Sequence, residues 1–135
     1  MNTSTNAPTT ALITHEDCLH HVMPYGHPEQ VARLTHVLDA LKGKPLLRVD
    51  APLAADAQVL RAHPQTHLDQ LRAEAPQKGI APLDPDTWMS PGSLNAALRG
   101  VGGALRGVDM VMAGEVKNAF VATRPPGHHA EFEAA

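Results

Sequence analysis

The run Asn118-Ala119-Phe120-Val121-Ala122-Thr123 reads as a strand, and it leads at once into Arg124-Pro125-Pro126-Gly127-His128-His129-Ala130. A strand that meets two prolines and a glycine cannot pass straight into a helix, because Pro fixes φ and lacks an amide donor while Gly admits backbone angles other residues avoid. The chain therefore makes an elbow there and holds two adjacent imidazoles at a strand mouth. Histidine takes up and returns a proton near neutral pH, its unperturbed pKa being about 6.5. The plainer reading is a solvated loop with two unrelated histidines. Loops at strand ends so often carry chemistry that His128 and His129 are the first candidate catalytic residues.

The rest of the chain shows what that strand belongs to. Met1 to Thr10 is rich in Thr, Asn, Ser and Pro and reads as a flexible tail, and Ala11-Leu12-Ile13-Thr14 reads as a first buried strand. His27 precedes Pro28 at an expected helix start, and Val31, Leu34, Leu38 and Leu41 then recur at helical spacing until Gly43. The helix is expected over 28–42, and a second strand over 46–49. Asp56 is placed to cap a short helix that runs to His63, and Pro64 to open the next, which carries His67, Leu68 and Leu71. Prolines and glycines crowd residues 76–92 around Asp84 and Asp86, which predicts a long loop, and long ordered loops are usually functional. From Ser93, the positions Leu94, Leu98, Val101, Leu105, Val108 and Met112 mark the apolar stripe of a helix over 93–113. Gly100, Gly102, Gly103 and Gly107 each weaken that helix by on the order of 1 kcal/mol relative to Ala, so close approach of another backbone is the expected reason for them. Strands alternating with helices predict a parallel sheet covered by helices, an α/β class.

Composition narrows the function. The chain has 135 residues, 43% hydrophobic and 19% charged, which is ordinary for a soluble globular domain. Its formal net charge of -3, without a Lys/Arg cluster, gives no footprint for a nucleic-acid backbone. Cys18 is the single cysteine, so neither an internal disulfide framework nor a four-sulfur zinc site can form. A reducing cytoplasm fits best. No stretch approaches the roughly 20 apolar residues of a membrane span. The only aromatic residues are Tyr25, Trp88, Phe120 and Phe132, so the core must be built from Leu, Val and Ala and its stability is expected to be modest.

Two further groups invite chemistry. Asp86 sits in the Pro-rich segment either as a functional carboxylate or as an Asx-turn cap beside Thr87. His15, Cys18, His20, His21 and His27 form a His-rich loop that invites reading as a metal site, although the spacing fits no standard zinc pattern. The glycines at 100–107 are no dinucleotide fingerprint, since they lie within a helix stripe.

Four segments together resemble one family in its own order: His27-Pro28-Glu29 with Arg33-Leu34, Leu60-Arg61-Ala62-His63 with His67-Leu68, the segment Leu83 to Gly92, and the Arg124 to Ala130 elbow. They resemble the zinc-dependent histone deacetylase superfamily, which includes the bacterial deacetylase-like amidohydrolases and the acetylpolyamine amidohydrolases. The resemblance runs from Leu12 to Ala135 and implies the N-terminal part of an arginase/deacetylase-type parallel sheet. It implies hydrolysis of acetyl-lysine or acetylated-amine amides, with His129 as the proton-transfer residue and His128 as its electrostatic partner. Asp86 would grip the substrate at the rim. Arg33 would lie buried near an internal product channel, a solvated helix-face arginine being the alternative. The resemblance implies Zn2+ as cofactor; its ligands, and the tyrosine that stabilises the oxyanion, lie downstream of the elbow in the family, so no residue here is assigned to the metal. A truncated chain of this kind is expected to be inactive alone and to self-associate through an open sheet edge. The alternative function is a non-catalytic remnant or binding module that docks onto another polypeptide.

Overall fold

The computed structural model describes residues 8–135. Most of the tail expected over Met1 to Thr10 lies outside the described residues, and the first strand, β1 (Thr10–Thr14), begins one residue earlier than the sequence suggested. Next come a short 3-10 helix (Glu16–Leu19), α1 (Val31–Ala40), β2 (Leu47–Asp50), α2 (Asp56–Val59) and α3 (Gln65–Glu74). The chain continues through β3 (Ala81–Asp84), β4 (Thr87–Met89), α4 (Ser93–Met112) and β5 (Asn118–Val121).

The central sheet has the order β2-β1-β5, and β1 pairs in parallel with both neighbours. Alternation along β1 divides the core in two. Leu12 points to one face, where it meets Leu34, Cys18 and Ala122 beneath Leu38 of α1 and Leu41, which caps its end. Ala11 and Ile13 point to the other, with Ala51, Val116 and Met110 of α4. A three-layer α/β arrangement results, as the alternation of elements predicted.

Four expectations need correction, the first being the Asp56 cap: α2 has Ala55 as its N-cap and ends at Val59, short of His63. The segment 76–92 is not wholly loop: it contains the antiparallel hairpin β3–β4. Pro82, which has no N–H to give, is accommodated because this two-stranded sheet offers only edge strands, and the register slips between Pro82 and Asp84. The face that α4 turns to the sheet also differs from the predicted leucine stripe. Its buried positions are Ser93, Ala96, Gly102, Gly103, Gly107 and Met110, while Val108 and Met112 are exposed. Small residues win that face because the helix backbone comes so close. A Cβ on Gly102 would collide with the Pro52 carbonyl, its carbon 2.7 Å away. On Gly103 it would meet side chains of Ala51 and Val121 at 3.1 Å. The expected backbone approach thus holds at Gly102, whereas Gly103 and Gly107 make room for sheet side chains. Finally, Pro28 precedes α1 by a turn instead of opening it, since Gln30 is the residue before the first helical position. Among the described residues no helix is long and apolar enough to cross a membrane.

Candidate active site

The site lies beyond the carboxyl ends of β1 and β5, where open parallel sheets bind ligands. β5 leads into the elbow. Gly127 has φ +67°, which favours glycine, and the Ala130 N–H donates to the Gly127 carbonyl at 3.0 Å. His128 and His129 are therefore the two middle residues of a tight turn. Both are exposed, and their ring centroids are 4.2 Å apart at 51°.

What fixes this turn is the residue in front of the prolines. Arg124 is 1% exposed, and a buried guanidinium requires partners for its donors. Its Nε and one terminal nitrogen donate to the two Glu29 carboxylate oxygens at 3.0 and 2.8 Å. The other terminal nitrogen donates to the carbonyls of Cys18, at 3.1 Å, and His21. The elbow is thereby tied both to the turn before α1 and to the loop after β1. Burial alone would raise the Glu29 carboxyl; the Arg124 guanidinium, with His21 and Arg33, outweighs it and holds the group below the usual carboxylate range.

The His-rich loop serves packing and hydrogen bonding. His21 is buried, its Nδ1 lies 2.7 Å from the Ser93 hydroxyl at the start of α4, and its Nε2 faces Glu29 at 3.8 Å. Burial, reinforced by the Arg124 charge, lowers its pKa to about 4 and keeps it neutral near pH 7. Ser90 closes the corner by donating to the His20 carbonyl at 3.0 Å while accepting the Val22 N–H at 2.9 Å. Among the described residues, no three His, Cys, Asp or Glu side chains are grouped to hold a metal ion.

Asp86 sits at the hairpin tip with an 85% exposed side chain, and its Oδ1 lies 3.0 Å from His27 Nε2. An Asx turn, the alternative weighed for Asp86, is made instead by Asp84, whose Oδ1 accepts the Asp86 N–H at 2.8 Å; that bond lowers the Asp84 pKa. Asp86, His128 and His129 thus all line one cavity of about 670 Å³, shared with His63 and His67 from the α2–α3 corner. The His63 and His67 rings stack at 4.7 Å. Arg33 is not among the cavity residues. Its side chain is 58% exposed and pairs with Glu29 at 3.0 Å, so Arg33 takes the solvated position on α1 and the buried arginine of this corner is Arg124. Glu29, Ser90 and Ser93 escaped sequence reading as site-building residues, and His21 entered it only as a member of the His-rich loop; Glu29 and Ser90 do lie in segments that carry the resemblance.

Known proteins resemble this chain in sequence and in fold. The chain is 34% identical over 128 residues to the "Probable deacetylase" of Archaeoglobus fulgidus, covering 90% of this chain and 35% of that protein. It is 39% identical over 104 residues to the "Histone deacetylase-like amidohydrolase" of Pseudomonas aeruginosa, covering 76% of this chain and 27% of that protein. The human "Polyamine deacetylase HDAC10" is 28% identical over 93% of this chain and 21% of its own length. The chain thus spans about a third or less of these three relatives. Among solved structures, the "HDA15 HD domain" superposes with a TM-score of 0.86 at 26% identity, over 95% of this chain and 39% of that one. The family model for the histone deacetylase domain matches residues 27–135, from His27 through the elbow, and by that match the chain belongs to the histone deacetylase family.

Proposed function

We propose that this chain supplies the proton-handling wall and the rim carboxylate of a zinc-dependent site that hydrolyses the amide of an acetylated lysine or an acetylated small amine. The observation that carries this is the convergence of His128, His129 and Asp86 on one cavity. In amide hydrolysis a water oxygen adds to the acetyl carbon, and the C–N bond then breaks to give acetate and an amine. The water must lose a proton and the leaving nitrogen must gain one. His129 suits the transfer, being exposed on a turn that Arg124 anchors; His128 beside it stabilises the charge that develops. Zinc, when bound at such a site, supplies polarisation of the amide carbonyl. Asp86, projecting from the hairpin, accepts hydrogen bonds from substrate N–H groups at the rim.

A second reading, a non-catalytic module that docks onto another polypeptide, draws support from the apolar face of α4, where Val108 is 60% and Met112 81% exposed. One experiment separates the two. The chain is joined to the downstream part of the Archaeoglobus relative and assayed on an acetyl-lysine peptide and an acetylated polyamine. Hydrolysis that His129→Ala lowers about 100-fold or more, the scale of a lost general acid/base, supports the catalytic reading. An unchanged rate in that variant refutes the role of His129, and a folded fusion inert on both substrates favours the docking module.

A further inference from the structure

The rim carboxylate and the histidine turn sit on pieces of chain far apart in sequence, and one short turn touches both. The β3–β4 hairpin forms a two-stranded sheet of its own, and such a unit is marginal in water without outside support. At its tip, Asp86 Oδ1 meets His27 Nε2 at 3.0 Å. Two residues on, Glu29 grips Arg124 with both carboxylate oxygens. The Glu29 N–H also donates to His27 Nδ1 at 3.0 Å. Since Nδ1 accepts, a neutral ring carries its proton on Nε2, the atom that faces Asp86. One tautomer satisfies both contacts, and Pro28 between the two residues fixes φ and leaves the turn little freedom.

We propose that His27-Pro28-Glu29 is a clasp that sets the distance between the Asp86 carboxylate and the His128–His129 turn, with His27 and Glu29 as positioning residues for substrate capture. What is captured rests on the deacetylase reading; the clasp itself rests on the three contacts. His27→Asn separates its parts, since a shorter amide oxygen still accepts the Glu29 N–H but cannot reach Asp86. In the 135-residue chain, long-range imidazole NMR is expected to show His27 with its proton on Nε2. His27→Asn is expected to speed amide hydrogen exchange in the hairpin about two- to fivefold, the scale of one exposed hydrogen bond, and to leave the His128 and His129 signals in place. Glu29→Gln is expected to shift those histidine signals. A His27 proton on Nδ1, or unchanged hairpin exchange in His27→Asn, overturns the clasp. In the fusion described above, His27→Asn should raise KM for the acetyl-lysine peptide by more than it lowers kcat, whereas His129→Ala acts on kcat. An equal fall of kcat with KM unmoved in His27→Asn counts against positioning. If the parent fusion hydrolyses nothing, the deacetylase reading falls, and the NMR measurements still decide the clasp.

Discussion

Replacing Arg124 with Met tests the anchoring of the elbow directly. The guanidinium is 1% exposed and donates to both Glu29 carboxylate oxygens and to the carbonyls of Cys18 and His21. Methionine fills much of the same volume but leaves a carboxylate and two carbonyls without their donor. Removing one partner of a buried pair costs about 3 to 5 kcal/mol. Arg33 still reaches Glu29 at 3.0 Å from its exposed position, so the expected loss lies at the lower end, about 3 kcal/mol. With a urea dependence of about 1 to 3 kcal/mol per molar, the unfolding midpoint followed by circular dichroism should fall by about 1 to 3 M. Adding Glu29→Gln removes the stranded charge, so the double variant should be more stable than the sum of the single losses by about 1 kcal/mol or more. A loss below about 1 kcal/mol in Arg124→Met, or strict additivity in the double variant, would refute the argument that this pair holds the elbow.

Two glycines of α4 should respond in opposite senses. Gly102→Ala drives a methyl into the Pro52 carbonyl and should destabilise by about 1 to 3 kcal/mol despite the better helix former, whereas Gly100→Ala meets only Thr123 at 3.5 Å and should gain up to about 1 kcal/mol; denaturation curves that move the same way would contradict the close helix–sheet approach. His21 predicts a pH dependence. Its folded pKa of about 4 lies below the unfolded 6.5, so between those values the unfolded chain binds a proton that the folded chain refuses, and stability falls as pH drops through that window. At about 1.4 kcal/mol per pH unit, the loss from pH 7 to 5 should be about 2 kcal/mol. His21→Asn should lack this part of the slope, and urea midpoints at the two pH values that shift equally in both chains would remove His21 as its source.

The sheet and both long helices were legible because their signals are local. Ile13 and Leu12 sit in a short apolar run, and Val31, Leu34 and Leu38 repeat at helical spacing. The hairpin was hidden because Pro and Gly argue for loop whenever a strand is read alone, and two-stranded edges tolerate them. The buried face of α4 was misread for a different reason: apolar periodicity weighs leucine and valine, whereas packing against a nearby backbone selects the absence of a side chain. His128, His129 and Asp86, which line one cavity, are candidates on their turn chemistry and their resemblance to a family. The grip of Arg124 on Glu29 spans 95 residues, and no local pattern distinguishes a buried Arg124 from a solvated Arg33.

Trp88 is the single tryptophan of the chain. It lies in β4 opposite Pro82 and forms part of the cavity wall. Indole emission excited apart from Tyr25 therefore comes from one position, on the strand that begins beside Asp86. Its wavelength follows the wetness of the cavity, and its quenching by acrylamide follows access through the mouth. Binding of a substrate analogue, or release of the hairpin from His27, would register in an unlabelled sample as a change of colour or of quenching, with no background from any other indole.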